Sequence, residues 1–151
     1  MAPDGARECI ARGIDGRPRL LFPAGASAQA RPLEAFVANV ARLWSAGEAS
    51  ELVELAPEDG RILLALGNEE AGAVQERHVA AALRELFRDR ETVSVRPAQV
   101  QLSGGTPLRG FGELSWVSRQ RGVTRPVTST VYVGAVFEGN AWRVRELRVL
   151  R

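Results

Sequence analysis

Apolar and polar residues alternate with a period of two in the C-terminal part of the chain. Four alternating runs, separated by glycine-bearing breaks, cover residues 92–102, 108–121, 124–137 and 141–150. Because successive side chains of a β-strand point to opposite faces, this pattern predicts four strands with two distinct faces. The Gly-Asn break at residues 139–140 is typical of a two-residue hairpin turn. The strands are therefore expected to form an antiparallel meander.

The N-terminal part has apolar residues at helical spacing instead. A first helix is expected to begin at Pro32, whose fixed φ suits a first turn, and to end at Gly47. Its apolar stripe consists of Leu33, Phe36, Val37, Val40, Leu43 and Trp44. A short helix over residues 48–55, a strand over 61–66 and a third helix over 72–90 follow. The chain is predicted to be an α+β domain in which three N-terminal helices pack on a strongly curved antiparallel sheet.

The turns also predict how the strands pair. A two-residue turn at residues 121–122 would place Trp116 opposite Val127. Gly110 and Gly112 would let a helix or a ligand approach the sheet closely from its apolar face. This expected core face carries Leu108, Leu114, Trp116, Val127, Val131, Val133, Ala135, Phe137, Trp142 and Val144.

The last strand leaves two registers open. Continued without interruption, the pairing points Glu146 to the core face and turns Leu147 and Val149 outward. A β-bulge near Arg145 would return Leu147 and Val149 to the core, and it is favoured because burial of an unpaired charge is costly. A second bulge is predicted at Pro97, where the apolar parity switches and where proline lacks a ladder donor.

In both registers four residues stay on the outer face of the sheet, the face that points away from the helices. They are Phe111, Thr128, Thr130 and Tyr132. A broad, partly apolar surface of this kind is typical of a protein interface. The sequence therefore predicts a homodimer that forms through the outer face.

Composition limits the chemistry. The chain has 151 residues and 45% hydrophobic residues, which suits one soluble domain, and no apolar run is long enough to span a membrane. Cys9 is the only cysteine, so an intramolecular disulfide and a CxxC site are excluded. His78 is the only histidine, so a metal site built from several histidines is excluded as well. No cofactor and no metal are predicted.

Charge is distributed unevenly along the chain. Residues 31–91 hold 7 Arg against 12 acidic residues, whereas residues 92–151 hold 9 Arg against 3 Glu. The simplest interpretation is an acidic helical layer on a basic sheet, and the alternative is a basic surface for an anionic partner. Nucleic acid is not expected, because no basic stripe is interleaved with aromatic residues. The exclusive use of Arg among the 20 basic residues is typical of a GC-rich genome.

Residues 1–30 are not expected to belong to the folded domain, which is assigned to residues 31–151. Proline and glycine interrupt every candidate element in this segment. A short apolar stretch at residues 20–22 precedes an A-x-A pattern that ends at Ala30, as at the cleavage site of an export signal. The segment is thus either a disordered tail or an intact or degenerate export signal. Both a cytoplasmic and an exported location stay open.

The order of elements and two motifs resemble a known superfamily. The motifs are the apolar stripe of the first helix and the C-terminal pattern W-x-V-x-x-L-x-V that begins at Trp142. From residue 32 onward the chain resembles the nuclear transport factor 2-like superfamily, a cone-shaped fold shared with ketosteroid isomerase and polyketide cyclases. Within it, the chain is similar to small, often exported bacterial domains of unknown function. The resemblance implies a pocket between the helices and the concave face of the sheet.

The residues that this resemblance would require for catalysis are mostly missing. No aspartate follows Asp89, so the acidic patterns of isomerases and epoxide hydrolases do not transfer to the strands. The single tyrosine, Tyr132, is expected to face outward. His78 lacks an evident aspartate partner of the kind that dehydratases use. Glu146 is the best candidate for a general base if it is buried, because burial would raise its pKa. The favoured bulge would instead leave Glu146 outside the core and paired with an arginine.

The sequence leaves three functions open. The favoured one is a non-catalytic module that binds a small apolar ligand or a protein, with Trp44, Trp116 and Trp142 either in the core or lining a pocket. The alternative is an isomerase- or cyclase-type enzyme that uses Glu146 or His78 as its base. The third is a binder of an anionic partner. An enclosed pocket would favour the enzyme, whereas a filled cone would favour an interaction module.

Overall fold

The computed structural model describes residues 24–67 and 72–150, with side chains from residue 31 onward. The elements in chain order are α1 (Ala24–Ala46), α2 (Ala49–Val53), β1 (Arg61–Ala65), β2 (Gly72–Gln75), α3 (Glu76–Asp89), β3 (Arg90–Gly104), β4 (Arg109–Gln120), β5 (Val127–Glu138) and β6 (Ala141–Leu150). The expected tail or export signal lies outside the described residues as far as residue 23. Its last part, residues 24–30, is the beginning of α1.

Within the described residues, six strands form one curved sheet in the order β2-β1-β6-β5-β4-β3. The sheet was predicted to be antiparallel, but it is mixed. Strands β1 and β6 run parallel, and they pair Leu63 with Glu146 and Leu64 with Leu147. The reason is the connection. Since α3 and the whole meander separate β1 from β6, the chain has enough length to return to the same end of the sheet before β6 begins.

Two predicted bulges are confirmed, and they help to bend the sheet. The pairing of β3 with β4 shifts between Pro97 and Gln99, so Ala98 is the extra residue. The pairing of β6 with β5 shifts next to Gly134, so Arg145 is the extra residue and Leu147 returns to the core. Each extra residue increases the local twist and bends its strand.

The predicted pairing of β4 with β5 is wrong by two residues. Trp116 lies opposite Ser129 rather than Val127, because residues 121–126 connect the strands instead of a two-residue turn. A shift of two residues preserves the faces, so Trp116 still points to the core. Val127, however, moves to the end of the sheet, where it is 45% exposed and is no longer a core residue.

The helix boundaries also differ from the prediction. Pro32 lies inside α1, which begins eight residues earlier, at Ala24. The third helix starts at Glu76 because residues 72–75 pair with β1 as a strand, with Val74 opposite Ile62. This pairing depends on a neighbouring strand, so the helical spacing downstream gave no sign of it.

Helix α1 packs into the concave face of the sheet at two glycines. A Cβ atom added at Gly110 would lie 2.5 Å from the Leu33 side chain, and one at Gly112 would lie 2.6 Å from that of Val37. Real Cβ atoms do not approach so closely, so both glycines are required for α1 to sit at this depth. The close approach predicted for these positions is therefore made by the helix.

Candidate functional site

The concave face of the cone is filled by aromatic and aliphatic side chains. Trp44 and Trp116 are both 0% exposed, and their rings meet edge to face with centroids 5.3 Å apart. Phe87 contacts the other side of Trp44 at 5.1 Å. Leu33 and Val37 fill the neighbouring space. Where the resemblance implied a pocket, the described side chains thus form a packed core.

The indole N–H groups of the three tryptophans differ in whether they have a hydrogen-bond partner. The indole Nε1 of Trp116 donates a hydrogen bond to Thr92 Oγ1 at 2.9 Å, and Arg90 lies over the Trp116 ring with 5.5 Å between its guanidinium carbon and the ring centroid. The indole Nε1 atoms of Trp44 and Trp142 are buried without a partner among the described residues. A buried donor without a partner costs about 1–3 kcal/mol, so tight packing takes precedence over polar satisfaction here.

The two candidate bases are not brought together. His78 is exposed on α3. Glu146 lies on the outer face, where Arg148 Nε donates to its Oε2. The extra residue Arg145 reverses which face the following side chains of β6 point to, so Glu146 points outward. The uninterrupted register, which pointed Glu146 to the core, is wrong. A general base needs to face a pocket that holds a substrate, and neither side chain does so toward the concave face.

Trp142 is the one predicted pocket residue that borders open space. It is 5% exposed and lines a shallow groove of about 480 Å³ between α1 and the turn that joins β5 to β6. The other walls are Pro32, Phe36, Phe137, Asn140 and Ala141. The rings of Phe137 and Trp142 meet edge to face at 5.4 Å, so the groove has a mainly apolar wall.

The outer face carries a cluster of aromatic and charged side chains. Phe111 and Tyr132 are both half-buried, and their rings stack with centroids 5.4 Å apart and planes inclined by 21°. Glu146 lies beside them over Gly134, where an added Cβ atom would come within 2.9 Å of Glu146 Cβ. Arg148 pairs with Glu146 and lies opposite Tyr132 in the ladder between β5 and β6. We call Phe111, Tyr132, Glu146 and Arg148 the outer cluster.

The environment of the outer cluster changes the acidity of its phenol. Burial raises the pKa of Tyr132 above the ordinary value, and the negative charges of Glu146 and, more weakly, Glu113 act in the same direction. The positive charge of Arg148 opposes them. The neutral form of the Tyr132 phenol, which is the ordinary form near neutral pH, therefore persists to higher pH than in a free tyrosine.

The sequence interpretation missed part of this cluster. Of the predicted interface residues, Phe111 and Tyr132 are half-buried at its centre, Thr130 is half-buried beyond it, and Thr128 is exposed at the end of the strand. Glu146 and Arg148 were not assigned to it. The signal that could have found them is Gly134, since a glycine inside a strand marks a position where another group comes close.

The bulged residue itself fixes a loop. Arg145 Nη1 lies 3.1 Å from Asp59 Oδ2 and also donates to the carbonyl of Arg61 at 3.3 Å. The pKa of Asp59 is lowered, first by the backbone N–H of Arg61, which donates to Oδ1 at 3.0 Å, and then by Arg145. The extra residue in β6 thus connects the sheet to the turn that precedes β1.

Among residues 24–67 and 72–150, no group of three or more His, Cys, Asp or Glu side chains is arranged to hold a metal ion. No helix in this described part of the chain is both long and apolar enough to cross a membrane.

Comparisons with known proteins give matches in structure and none in sequence. No protein-family model and no curated protein matches the chain. A candidate scytalone dehydratase from Novosphingobium aromaticivorans superposes with a TM-score of 0.66 at 10% identity, and the match covers 84% of this chain and 87% of that one.

Two further solved structures are similar. A DUF4783 family protein from Bacteroides uniformis has a TM-score of 0.61 at 13% identity, covering 74% of this chain and 93% of its own. A nuclear transport factor 2-like protein with a cystatin-like fold, also from Novosphingobium aromaticivorans, has a TM-score of 0.56 at 16% identity, and 82% of each chain is covered. The predicted resemblance is confirmed at the level of the fold: this chain has the nuclear transport factor 2-like, cystatin-like architecture, which it shares with bacterial proteins of unknown function.

Proposed function

We propose that the protein is a non-catalytic interaction module that works as a homodimer through the outer face of its sheet. The observation that carries the proposal is the filled cone. Trp44 and Trp116 are fully buried in the space where the fold can hold a ligand. A module whose concave face is occupied by its own core has the opposite face left for recognition.

The outer cluster has the chemistry of a self-complementary interface. In a two-fold dimer the same patch lies on both copies, so the stacked rings of one copy meet those of the other. Aromatic residues and arginine are enriched at the centres of interfaces. Glu146 and Arg148 lie next to the rings, so the Glu146 carboxylate of one copy can pair with the Arg148 guanidinium of the other. Such a pair would fix the register of the two faces.

The edges of the sheet are less suited to association than its face. Edge strand β3 has register shifts at Thr92/Ser94, Pro97/Gln99 and Leu102/Gly104, so its ladder of free backbone groups is interrupted. The other edge, β2, is only four residues long. Bulged and short edge strands resist pairing with another chain. These features support association through the face rather than by strand addition.

The test is the oligomeric state of the full chain, measured by sedimentation equilibrium and by native mass spectrometry. We expect a dimer, and we expect the Phe111→Ser and Tyr132→Ser variants to be monomers with an unchanged circular dichroism spectrum. Val123→Ser is the matched control, because Val123 is 47% exposed but lies in the β4–β5 connection. A monomeric wild type, or dimeric Phe111→Ser and Tyr132→Ser variants, would contradict the proposal.

The groove at Trp142 supports a second candidate function, the binding of a small apolar ligand in that groove. Its volume of about 480 Å³ lies within the usual range of ligand sites. The test is titration with the fluorescent apolar probe 1-anilinonaphthalene-8-sulfonate. Phe36→Ala removes one wall of the groove and should weaken the binding of the probe several-fold. Phe111→Ala on the outer face should leave probe binding unchanged. Equal effects of the two variants would assign the probe to another surface.

A further inference from the structure

Three of the four large apolar side chains that are exposed among the described residues lie toward one end of the sheet, and the fourth, Leu150, is the last residue of β6. Val93, Val123 and Val127 are 50%, 47% and 45% exposed. Val127 pairs with Ser118, and Ser118 pairs with Thr92. Because Val93 follows Thr92 directly, Val127 and Val93 lie at the same end of the sheet. Val123 belongs to the connection that extends beyond it. We call residues 119–127 the β4–β5 tip.

Arginines surround these valines. The tip contains Arg119, Arg121 and Arg125, and no acidic residue occurs between Glu113 and Glu138. The adjoining end of α3 and start of β3 add Arg88 and Arg90 together with Asp89 and Glu91. This end of the molecule thus has five Arg against two acidic residues, a net charge of +3.

The arginines of the tip differ in how much they are engaged. Arg121 donates to the carbonyl of Phe87 at 3.4 Å and to that of Arg88, so it caps the C-terminus of α3. Arg119 lies 3.6 Å from Glu91 in an exposed ion pair. Arg125 is exposed. An exposed ion pair contributes little, so Arg119 can exchange Glu91 for another anion at small cost.

The shape of the tip favours a flat partner. Every residue from 120 to 128 is exposed, and Gly122 turns the chain with a φ of +85°. The hollow beside the tip, which is lined in part by Phe87, Arg90 and Arg121, has a volume of only about 240 Å³, below the usual range of ligand sites. Residues 119–127 contain no aromatic residue on which bases could stack. The aromatic residue of β4 near the tip, Trp116, is 0% exposed. Aliphatic side chains between arginines suit a lipid surface, where the apolar groups enter the interface and guanidinium groups bind phosphates.

We propose that the β4–β5 tip docks the protein on membranes that contain anionic phospholipids. Val123 and Val127 would enter the headgroup region, and Arg119 and Arg125 would bind lipid phosphates. The tip shares no residue with the outer cluster, so this inference stands independently of the homodimer. Each proposal can fail while the other holds.

The test is co-sedimentation of the full chain with vesicles of phosphatidylcholine alone or mixed with phosphatidylglycerol. We expect binding to the mixed vesicles that is at least about tenfold stronger than to the neutral ones and that falls when the salt rises from about 0.1 M to about 0.5 M. Arg125→Gln should weaken binding by about fivefold, since one arginine near an anionic surface contributes about 1 kcal/mol. Val123→Ser should weaken it by several-fold as well.

Arg109→Gln is the matched control, because Arg109 is exposed at the opposite end of β4 and its loss changes the net charge equally. It should leave binding within about twofold of wild type, since a charge more than a Debye length from the lipid is screened. Equal binding to neutral vesicles, absence of binding, or equal losses in Arg109→Gln and Arg125→Gln would overturn the proposal. Stronger binding to a single-stranded oligonucleotide than to the vesicles would overturn the assignment to lipid.

Discussion

At the scale of single residues, the neighbours of Tyr132 give the outer face a measurable property. Its phenol is partly removed from water and lies near the carboxylates of Glu146 and Glu113, and both effects favour the neutral form. Arg148 favours the ionised form but is paired with Glu146. The acidity of one side chain therefore reports the arrangement of the whole cluster.

Because Tyr132 is the only tyrosine, its ionisation can be followed by ultraviolet absorbance without interference from another tyrosine. We expect a midpoint above the usual value of about 10. Glu146→Gln should lower the midpoint, because it removes a negative charge and frees Arg148, whereas Arg148→Gln should raise it. A midpoint at or below the usual value in the folded wild type would contradict this.

The same shift has a consequence for stability. The pKa of Tyr132 is higher in the folded than in the unfolded chain, so its neutral form stabilises the fold. That contribution is complete below the unfolded pKa of about 10 and is lost as the pH rises through the folded pKa. Tyr132→Phe should make the free energy of unfolding less dependent on pH in that range, as urea titrations at several alkaline pH values would measure.

At the scale of elements, the depth of α1 in the sheet depends on two missing Cβ atoms. Gly112 lies under Val37, and Gly110 lies under Leu33. Gly112→Ala should destabilise the protein by about 1–3 kcal/mol, since the new methyl group must displace the helix or the strand. The midpoint and slope of urea unfolding measure this change.

Gly72→Ala is the control for that experiment. Gly72 is also in a strand, but no atom of the described part of the chain lies within 4 Å of an added Cβ atom there. This variant should be neutral or slightly more stable. The double variant Val37→Ala/Gly112→Ala should lose less than the sum of the two single variants, because the smaller side chain makes room for the added methyl group. Additive losses would show that the contact is not the cause.

At the scale of the whole molecule, the aromatic core decides which face can serve recognition. Trp116, on β4, contacts Trp44 of α1, lies under Arg90 and donates a hydrogen bond to Thr92. It therefore joins α1, β3 and β4. Trp116→Ala should destabilise the fold by about 3–5 kcal/mol in chemical denaturation. An unchanged stability would mean that Trp116 lines a pocket instead of filling the core.

Much of the fold could be predicted from the sequence, but the candidate site could be predicted only in part. The period of two found the four long strands, and the parity switches at Pro97 and near Arg145 found two bulges. The length of the β4–β5 connection was not predictable from Arg121-Gly122, because a turn-forming pair is also compatible with a longer loop. The outer cluster was found through Phe111 and Tyr132. The favoured bulge also left Glu146 outside and paired with an arginine, but it did not identify that arginine as Arg148.

Alternation along the chain is enough to predict which side chains share a face between two bulges, because that depends only on neighbouring residues. The α+β class is also predictable from the sequence, since periods of two and of 3.6 are local properties. Three features could be seen only in the folded chain: α1 fills the cone, β1 lies parallel to β6, and Glu146 meets Arg148 beside Tyr132. These are contacts between residues far apart in the chain, and their geometry depends on packing volume and register, which local periodicity does not encode.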